Sequence, residues 1–158
     1  MSATPLTLRP ARPDDRAAVL AILAETFEDT WRPQLTAAAI DAYHRDRIAE
    51  TFVDTSLARF VVAEIDGAVL GFAHREEGFV DALHVAAAGR RRGIARALME
   101  ALEAAMRAEG LALASLETDT FNSASQGLYL ALGYREVAQY PDEEWNSGLT
   151  TIRYEKEL

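Results

Sequence analysis

The sequence predicts a mixed α/β (α+β) fold of seven strands and four helices in the order βααβββαβαββ. Three observations carry this. Asp66-Gly67, a pair suited to the positive φ angles of a tight hairpin, joins two strand-like segments. An apolar strand at 79–85 runs through an arginine- and glycine-rich stretch into a helical pattern, with Ile94, Leu98, Leu102 and Met106 on one face. Two strands close the chain, so the order is mixed and excludes a simple repeating βαβ sheet.

Element by element, Leu6-Thr7-Leu8-Arg9 alternates as a short strand. Pro13, Asp14 and Asp15 open a helix, with proline early and acids in the first turn. Val19, Ile22, Leu23 and Phe27 recur at helical spacing, and a break is expected over 29–33. Thr36 caps a second helix, with Leu35 and Ile40 as a hydrophobic staple across the cap. Its apolar stripe continues through Tyr43, Ile48 and Phe52. Strands follow at 59–65 and 68–74, Glu77-Gly78 turns the chain, and 79–85 is the third strand of the group. In the next helix Arg96, Glu100, Glu103 and Arg107 lie mainly outside the apolar stripe, and Gly110 closes it. A strand at 111–118 leads to a short helix capped by Asn122 or Ser123 and ending at Leu132-Gly133. Strands at 134–140 and 149–157, joined by an acidic loop, complete the order.

The 158 residues, 1–158, are expected to form a single domain with a sizeable core. No apolar run approaches the roughly 20 residues that cross a bilayer. The first ten residues lack the basic-then-apolar layout of a secretory signal. A cytoplasmic location with no membrane partner is the resulting expectation. The absence of cysteine excludes a disulfide framework, a thiolate zinc site and a cysteine nucleophile, and no metal is expected. The net charge of −9 argues against nonspecific nucleic-acid binding and favours a cationic partner.

Against that acidic background Arg90, Arg91 and Arg92 stand together at a strand-to-helix junction. The first amides of a helix have no carbonyl partners within it and lie at the positive end of its dipole. Gly93, without a Cβ, lets a ligand approach the backbone. The combination describes a cradle for a phosphate or pyrophosphate. Its spacing matches neither the Walker A loop nor the dinucleotide-binding glycine fingerprint.

The motif is Arg90-x-x-Gly93-x-Ala95, which resembles the acetyl-coenzyme A signature of the Gcn5-related N-acetyltransferases (GNAT family), Gln/Arg-x-x-Gly-x-Gly/Ala. A second run, with Asn122, Ser125, Leu128, Tyr129, Gly133 and Tyr134 at the matching positions, resembles the other landmark of that family. The element order also resembles the GNAT fold over essentially the whole chain, implying a mixed, mostly antiparallel sheet. Ala86-Ala87-Ala88 departs from the family pattern, in which proline often follows the strand.

The resemblance implies an acyltransferase in which an amine attacks the thioester of acetyl-CoA directly. Most amines of the lysine type, with a pKa near ~10.4, must lose a proton first. The family's pattern implies a backbone amide on the strand before the loop for the carbonyl, with Val85 the nearest candidate. It implies Tyr129 for the leaving sulfur, and Asn122 for a contact to the pantetheine arm. The main-chain donors of Arg91, Arg92, Gly93, Ile94 and Ala95, with the charge of Arg90, are implied for the diphosphate. The strand that supplies Val85 is expected to splay from its neighbour at a bulge. For the base, Asp81, Glu64, His84 and an ordered water chain all stay open. Simple alternation places Asp81 in phase with Phe79, Leu83 and Val85, and His84 on the opposite side.

The family's acceptor pocket maps to 27–35, with Glu28, Asp29 and Trp31, and to 141–149, with Asp142, Glu143, Glu144 and Trp145. Carboxylates beside aromatic rings suit a cationic amine, so the expected acceptor is a small primary amine. A peptide or protein amine, N-terminal or lysine, is the enzymatic alternative, and an acyl-CoA-binding module without turnover the other class. Dimers are common in the family, which leaves a homodimer open.

Overall fold

The computed structural model describes residues 5–142 and 148–158. Strands β1 (Thr7–Pro10), β2 (Val61–Ile65), β3 (Ala68–Glu76), β4 (Phe79–Val85), β5 (Leu113–Asp119), β6 (Arg135–Pro141) and β7 (Thr150–Glu157) form one sheet in the order β1-β2-β3-β4-β5-β7-β6. Every neighbouring pair is antiparallel except β4 and β5. The helices are α1 (Arg16–Thr26), α2 (Ala37–Arg45), α3 (Ile48–Ser56), α4 (Ile94–Ala108) and α5 (Ser123–Ala131).

Two apolar clusters cover the two faces of this sheet. On one, Ile94, Leu98, Met99 and Met106 of α4 and Tyr129 of α5 pack against Ala73, Leu116, Ile152 and Tyr154. On the other, Val19 and Ile22 of α1 and Val53 of α3 pack against Val62, Phe72 and Ala82. Gly71 is the close-approach point on the first face, since a Cβ there would lie 2.8 Å from Ile94 Cγ2. A buried polar group also ties α4 to the sheet: Glu103 accepts from Tyr134 Oη (2.9 Å) and from Lys156 Nζ (2.7 Å).

Local signals were realised where expected. Asp66 and Gly67 take φ 54° and 76°, Thr36 accepts from Ala39 N–H, and Asn122 accepts from Ser125 N–H. Two expectations are corrected. The second helix is divided into α2 and α3, because Arg47 takes the left-handed conformation (φ 49°) and ends the hydrogen-bond ladder. The described residues therefore hold five α-helices rather than four. The break at 29–33 is instead a continuation of α1 through a π turn, Phe27–Trp31, and a 3-10 turn, Arg32–Gln34.

Bulges place the chemistry. Between β3 and β4 the register passes from His74↔Ala82 to Arg75↔Val80, so Asp81 is the additional residue. Across a bulge two consecutive side chains oppose one partner. Val80 accordingly packs with the α4 cluster while Ala82 packs with the α1–α3 cluster.

Candidate active site

The arginine-rich segment forms a tight loop between β4 and α4. Gly89 N–H donates to Ala86 O at 2.9 Å and closes a 3-10 turn. Arg91 and Gly93 then take φ 64° and 76°. Ala97 N–H bonds back to Gly93 O at 3.0 Å, so the amides of Ile94, Ala95 and Arg96 point out of the helix end. A Cβ on Gly93 would meet nothing within 4 Å; the glycine serves the backbone angle and leaves the amides open. The cleft in front of the loop holds about 290 Å³ and is walled by Val85, Arg90, Ile94 and Leu128. Arg91 and Arg92 have no ion-pair partner among the described residues, whereas Arg90 Nη2 lies 3.6 Å from Asp29 Oδ2.

The loop entry, which lacks proline, is held by a contact the sequence did not announce. Glu25 of α1 accepts the Ala87 N–H at 2.5 Å. Its only sequence signal is a carboxylate near the end of a helix whose apolar spacing assigns it no packing role.

Beside the loop the sheet opens. Strands β4 and β5 pair only at Phe79↔Ser115 and Val80↔Leu116. Ala86 N–H donates to Leu70 O on β3. By antiparallel alternation the amides of Leu83 and Val85 face away from β3, toward the gap left by β5. The expected splay is therefore present, and it frees the amides of both Leu83 and Val85. Tyr129 enters from α5, 7% exposed, with its ring near Tyr134 and Tyr154. Burial pushes its hydroxyl up to about 12. Asn122 uses its side-chain oxygen as the α5 cap, which leaves its amide nitrogen for other partners.

The three candidate bases are separated by the fold. Asp81 lies just beyond the last β4–β5 pair, at the apex of the gap, and His74 Nδ1 lies 2.7 Å from its Oδ1. His84 stacks on Phe72 (5.2 Å) with its Nδ1 buried and unpaired. Burial lowers its pKa to about 4. The bulge brings Asp81 onto the same face as His84, which corrects the phase read from alternation. Glu64 lies two strands away from β4, where Arg9 donates to it at 2.7 Å and to Asp15 at 2.8 and 2.9 Å.

Past the gap, the α1–α3 face of the sheet turns polar. Ala114, Leu116 and Thr118 alternate with Ser115, Glu117 and Asp119, and Ala114 and Leu116 belong to the α4 cluster. Glu117 and Asp119 therefore share the opposite face. The Tyr140 hydroxyl bonds Glu117 and Arg153. Asp119 is 6% exposed, and burial, helped by Asp142 and Glu117, raises its carboxyl to about 6. Two residues further on, Phe121 meets Trp31 edge to face at 5.5 Å, so the π turn closes against this end of β5. Neither Glu117 nor Asp119 was singled out in the sequence; their signal was the alternation of carboxylates with apolar residues along a strand. Glu28 is engaged by Arg32 at 3.0 Å. Glu143, Glu144 and Trp145 lie outside the described residues.

A loop with outward-pointing main-chain amides beside a splayed strand pair is an arrangement suited to an acyl-CoA-dependent transferase, and known proteins similar to the chain are of that class. The chain matches the Acetyltransferase (GNAT) family over residues 17–134. It is 31% identical over 155 residues to an aminoglycoside N(6')-acetyltransferase type 1 of Klebsiella aerogenes, covering 88% of this chain and 95% of that protein. A GCN5-related N-acetyltransferase from Rhodopseudomonas palustris superposes with a TM-score of 0.80 at 21% identity, covering 100% of this chain and 99% of the other. The PaiA N-acetyltransferase of Thermoplasma acidophilum, solved with coenzyme A, superposes with a TM-score of 0.79 at 15% identity, covering 98% and 99%.

The chain belongs to the GNAT acetyltransferase family. It is an N-acetyltransferase. No helix among the described residues is long and apolar enough to cross a membrane.

Proposed function

We propose that this enzyme transfers the acetyl group directly to the primary amine of a small cationic molecule. The observation that carries the reading is Asp119, a buried carboxyl beside Glu117 and Asp142, at the end of the strand that forms one side of the gap. A site that crowds carboxylates stabilises positive charge brought to it. Trp31 and Phe121 offer ring faces for the same cation. The likeness to an aminoglycoside N-acetyltransferase supports an amine-bearing small molecule as acceptor.

The remaining residues divide the work. The amides of Arg91 through Ala95, with Arg90, hold the diphosphate, and Val85 N–H holds the pantetheine arm. The carbonyl oxygen is assigned to Leu83 N–H in preference to Val85. At about 3.3 Å per residue, Val85 lies ~13 Å along the strand from Asp81, and Leu83 about half that. Carbonyl and base must act on one centre, which favours the nearer amide. Asp81 takes the ammonium proton. Tyr129 donates a hydrogen bond to the departing sulfur. With its hydroxyl pushed up to about 12 it stays protonated at working pH, and a thiolate near ~8.5 does not remove its proton. Asn122 adds its amide N–H to the arm.

Incubation with acetyl-CoA and a panel of cationic, neutral and anionic amines, read as free thiol, tests the reading. Turnover is expected on small cationic amines. Turnover confined to neutral or anionic amines, or to peptide amines, overturns it. Thiol release on none of them, with acetyl-CoA bound, identifies a binding module.

A further inference from the structure

We propose that His74 is the positioning residue for Asp81, holding one carboxylate oxygen so that the other faces the gap between β4 and β5. The inference rests on the reading of Asp81 as the base. His74 is 1% exposed and packs against Phe52 (5.7 Å) and Phe60 (5.3 Å). Its Nδ1 lies 2.7 Å from Asp81 Oδ1, while its buried Nε2 has no hydrogen-bond partner. Glu76 Oε1 lies 3.6 Å from Nε2, beyond a hydrogen bond, and Glu76 is itself held by Arg59 at 2.8 and 3.2 Å. A carboxylate only accepts, so the ring proton lies on Nδ1 and Nδ1–H donates to Asp81.

Two arguments take this arrangement beyond packing. First, a ring nitrogen buried without a partner disfavours folding, and leucine or phenylalanine would fill the aromatic pocket without it. A histidine there costs stability that an apolar side chain would not. Second, Asp81 is the additional residue of a bulge and its side chain is 27% exposed. A short carboxylate there has several rotamers, and a donor fixed by Phe52 and Phe60 selects one. A base aimed by a buried orienting group is the logic of catalytic triads with the partners exchanged. His74, Glu76 and Asp81 also lie close enough together to ligate a cation. The guanidinium of Arg59 already neutralises Glu76, which favours the proton on Nδ1 as the link.

The test uses four variants of the full chain: His74→Leu, His74→Asn, Asp81→Asn and the His74→Leu/Asp81→Asn pair. His74→Leu is expected to melt no lower than the parent. Its kcat should fall ~10-fold or more with the KM for acetyl-CoA unchanged. His74→Asn, whose amide N–H replaces Nδ1–H, should recover most of the loss. In the Asp81→Asn background His74→Leu should change kcat by less than about 2-fold, the signature of two residues acting as one unit. An unchanged kcat in His74→Leu, or an equal loss in both backgrounds, overturns the proposal. So does activity lost to a chelator and restored by zinc. If His74→Leu fails to fold, an unrestored kcat in folded His74→Asn overturns it and a restored one supports it. Undiminished kcat in Asp81→Asn removes the base assignment and this proposal together. Acetyl transfer to cationic amines is judged separately, by thiol release.

Discussion

Asp29 of the π turn and Arg90 of the β4–α4 loop are joined by an ion pair, Oδ2 to Nη2 at 3.6 Å. The helix-ending turn that carries Trp31 is thereby linked to the loop that opens α4. The diphosphate proposed for this loop would compete with Asp29 for the same guanidinium. Both side chains are more than half exposed, so the pair itself is weak. Asp29→Asn is expected to tighten coenzyme A binding, by up to about 3-fold, as calorimetry at low salt would show. A weaker complex would mean that Asp29 orients Arg90 instead of competing for it.

Asp119 gives a pH signature of known sign. Its folded pKa, about 6, is raised from 3.8. The group therefore contributes stability below 3.8, and this is lost as pH rises through about 6. Asp119→Asn should raise the melting temperature at about pH 7.5 by a few degrees and have little effect near pH 4. The acceptor sees the opposite: the ionised carboxyl attracts the cation, so acceptor KM should fall as pH rises through about 6. In Asp119→Asn that dependence should flatten and acceptor KM should rise ~10-fold or more, with acetyl-CoA KM unchanged.

Removal of the Tyr129 hydroxyl separates leaving-group stabilisation from binding. Tyr129→Phe keeps the ring contacts with Tyr134 and Tyr154 and should fold as well as the parent. A loss of ~10- to 100-fold in kcat with little change in either KM is expected from steady-state kinetics. An equal rise in acetyl-CoA KM would assign the hydroxyl to ground-state binding.

His84 sets a second pH effect, on stability. Its folded pKa, about 4, is depressed from 6.5, so the unfolded chain binds the additional proton between those values. The stabilisation is complete above 6.5 and is lost as pH falls toward about 4, on the order of 3 kcal/mol in all. Denaturant titrations from about pH 7 to 4.5 should show that loss in the parent and a shallower one in His84→Phe. Equal slopes would place the acid sensitivity elsewhere.

What was legible in the sequence was what short-range chemistry dictates. The Asp66-Gly67 turn, the Thr36 cap and a cap at Asn122 or Ser123 each follow from the conformational range of one or two residues. The apolar face of α4 was equally plain, because Ile94, Leu98, Leu102 and Met106 keep a single period and all four are buried. The division at Arg47 was hidden because Tyr43 and Ile48 continue the apolar stripe across it. Asp81 was placed on the wrong face because alternation holds only without a bulge, and the bulge depends on pairing with β3. His74 looked like a polar residue in a strand; its link to Asp81 joins neighbouring strands that no local pattern puts in register. Asp119 acquired its character from burial, reinforced by Asp142, which follows β6 and reaches it through the strand order β5-β7-β6.

Lys156, tied to Glu103 on the sheet face behind α4, is the chain's only lysine; the other 15 basic residues are arginines. Guanidinium groups do not react with thioesters under conditions that acylate free ε-amines. The catalyst thus presents its own activated reagent with one self-modification target among its side chains, and keeps that amine in a carboxylate's grip. Mass spectrometry after prolonged exposure to excess acetyl-CoA is expected to find Lys156 unacetylated, so the enzyme resists inactivation by the compound it consumes.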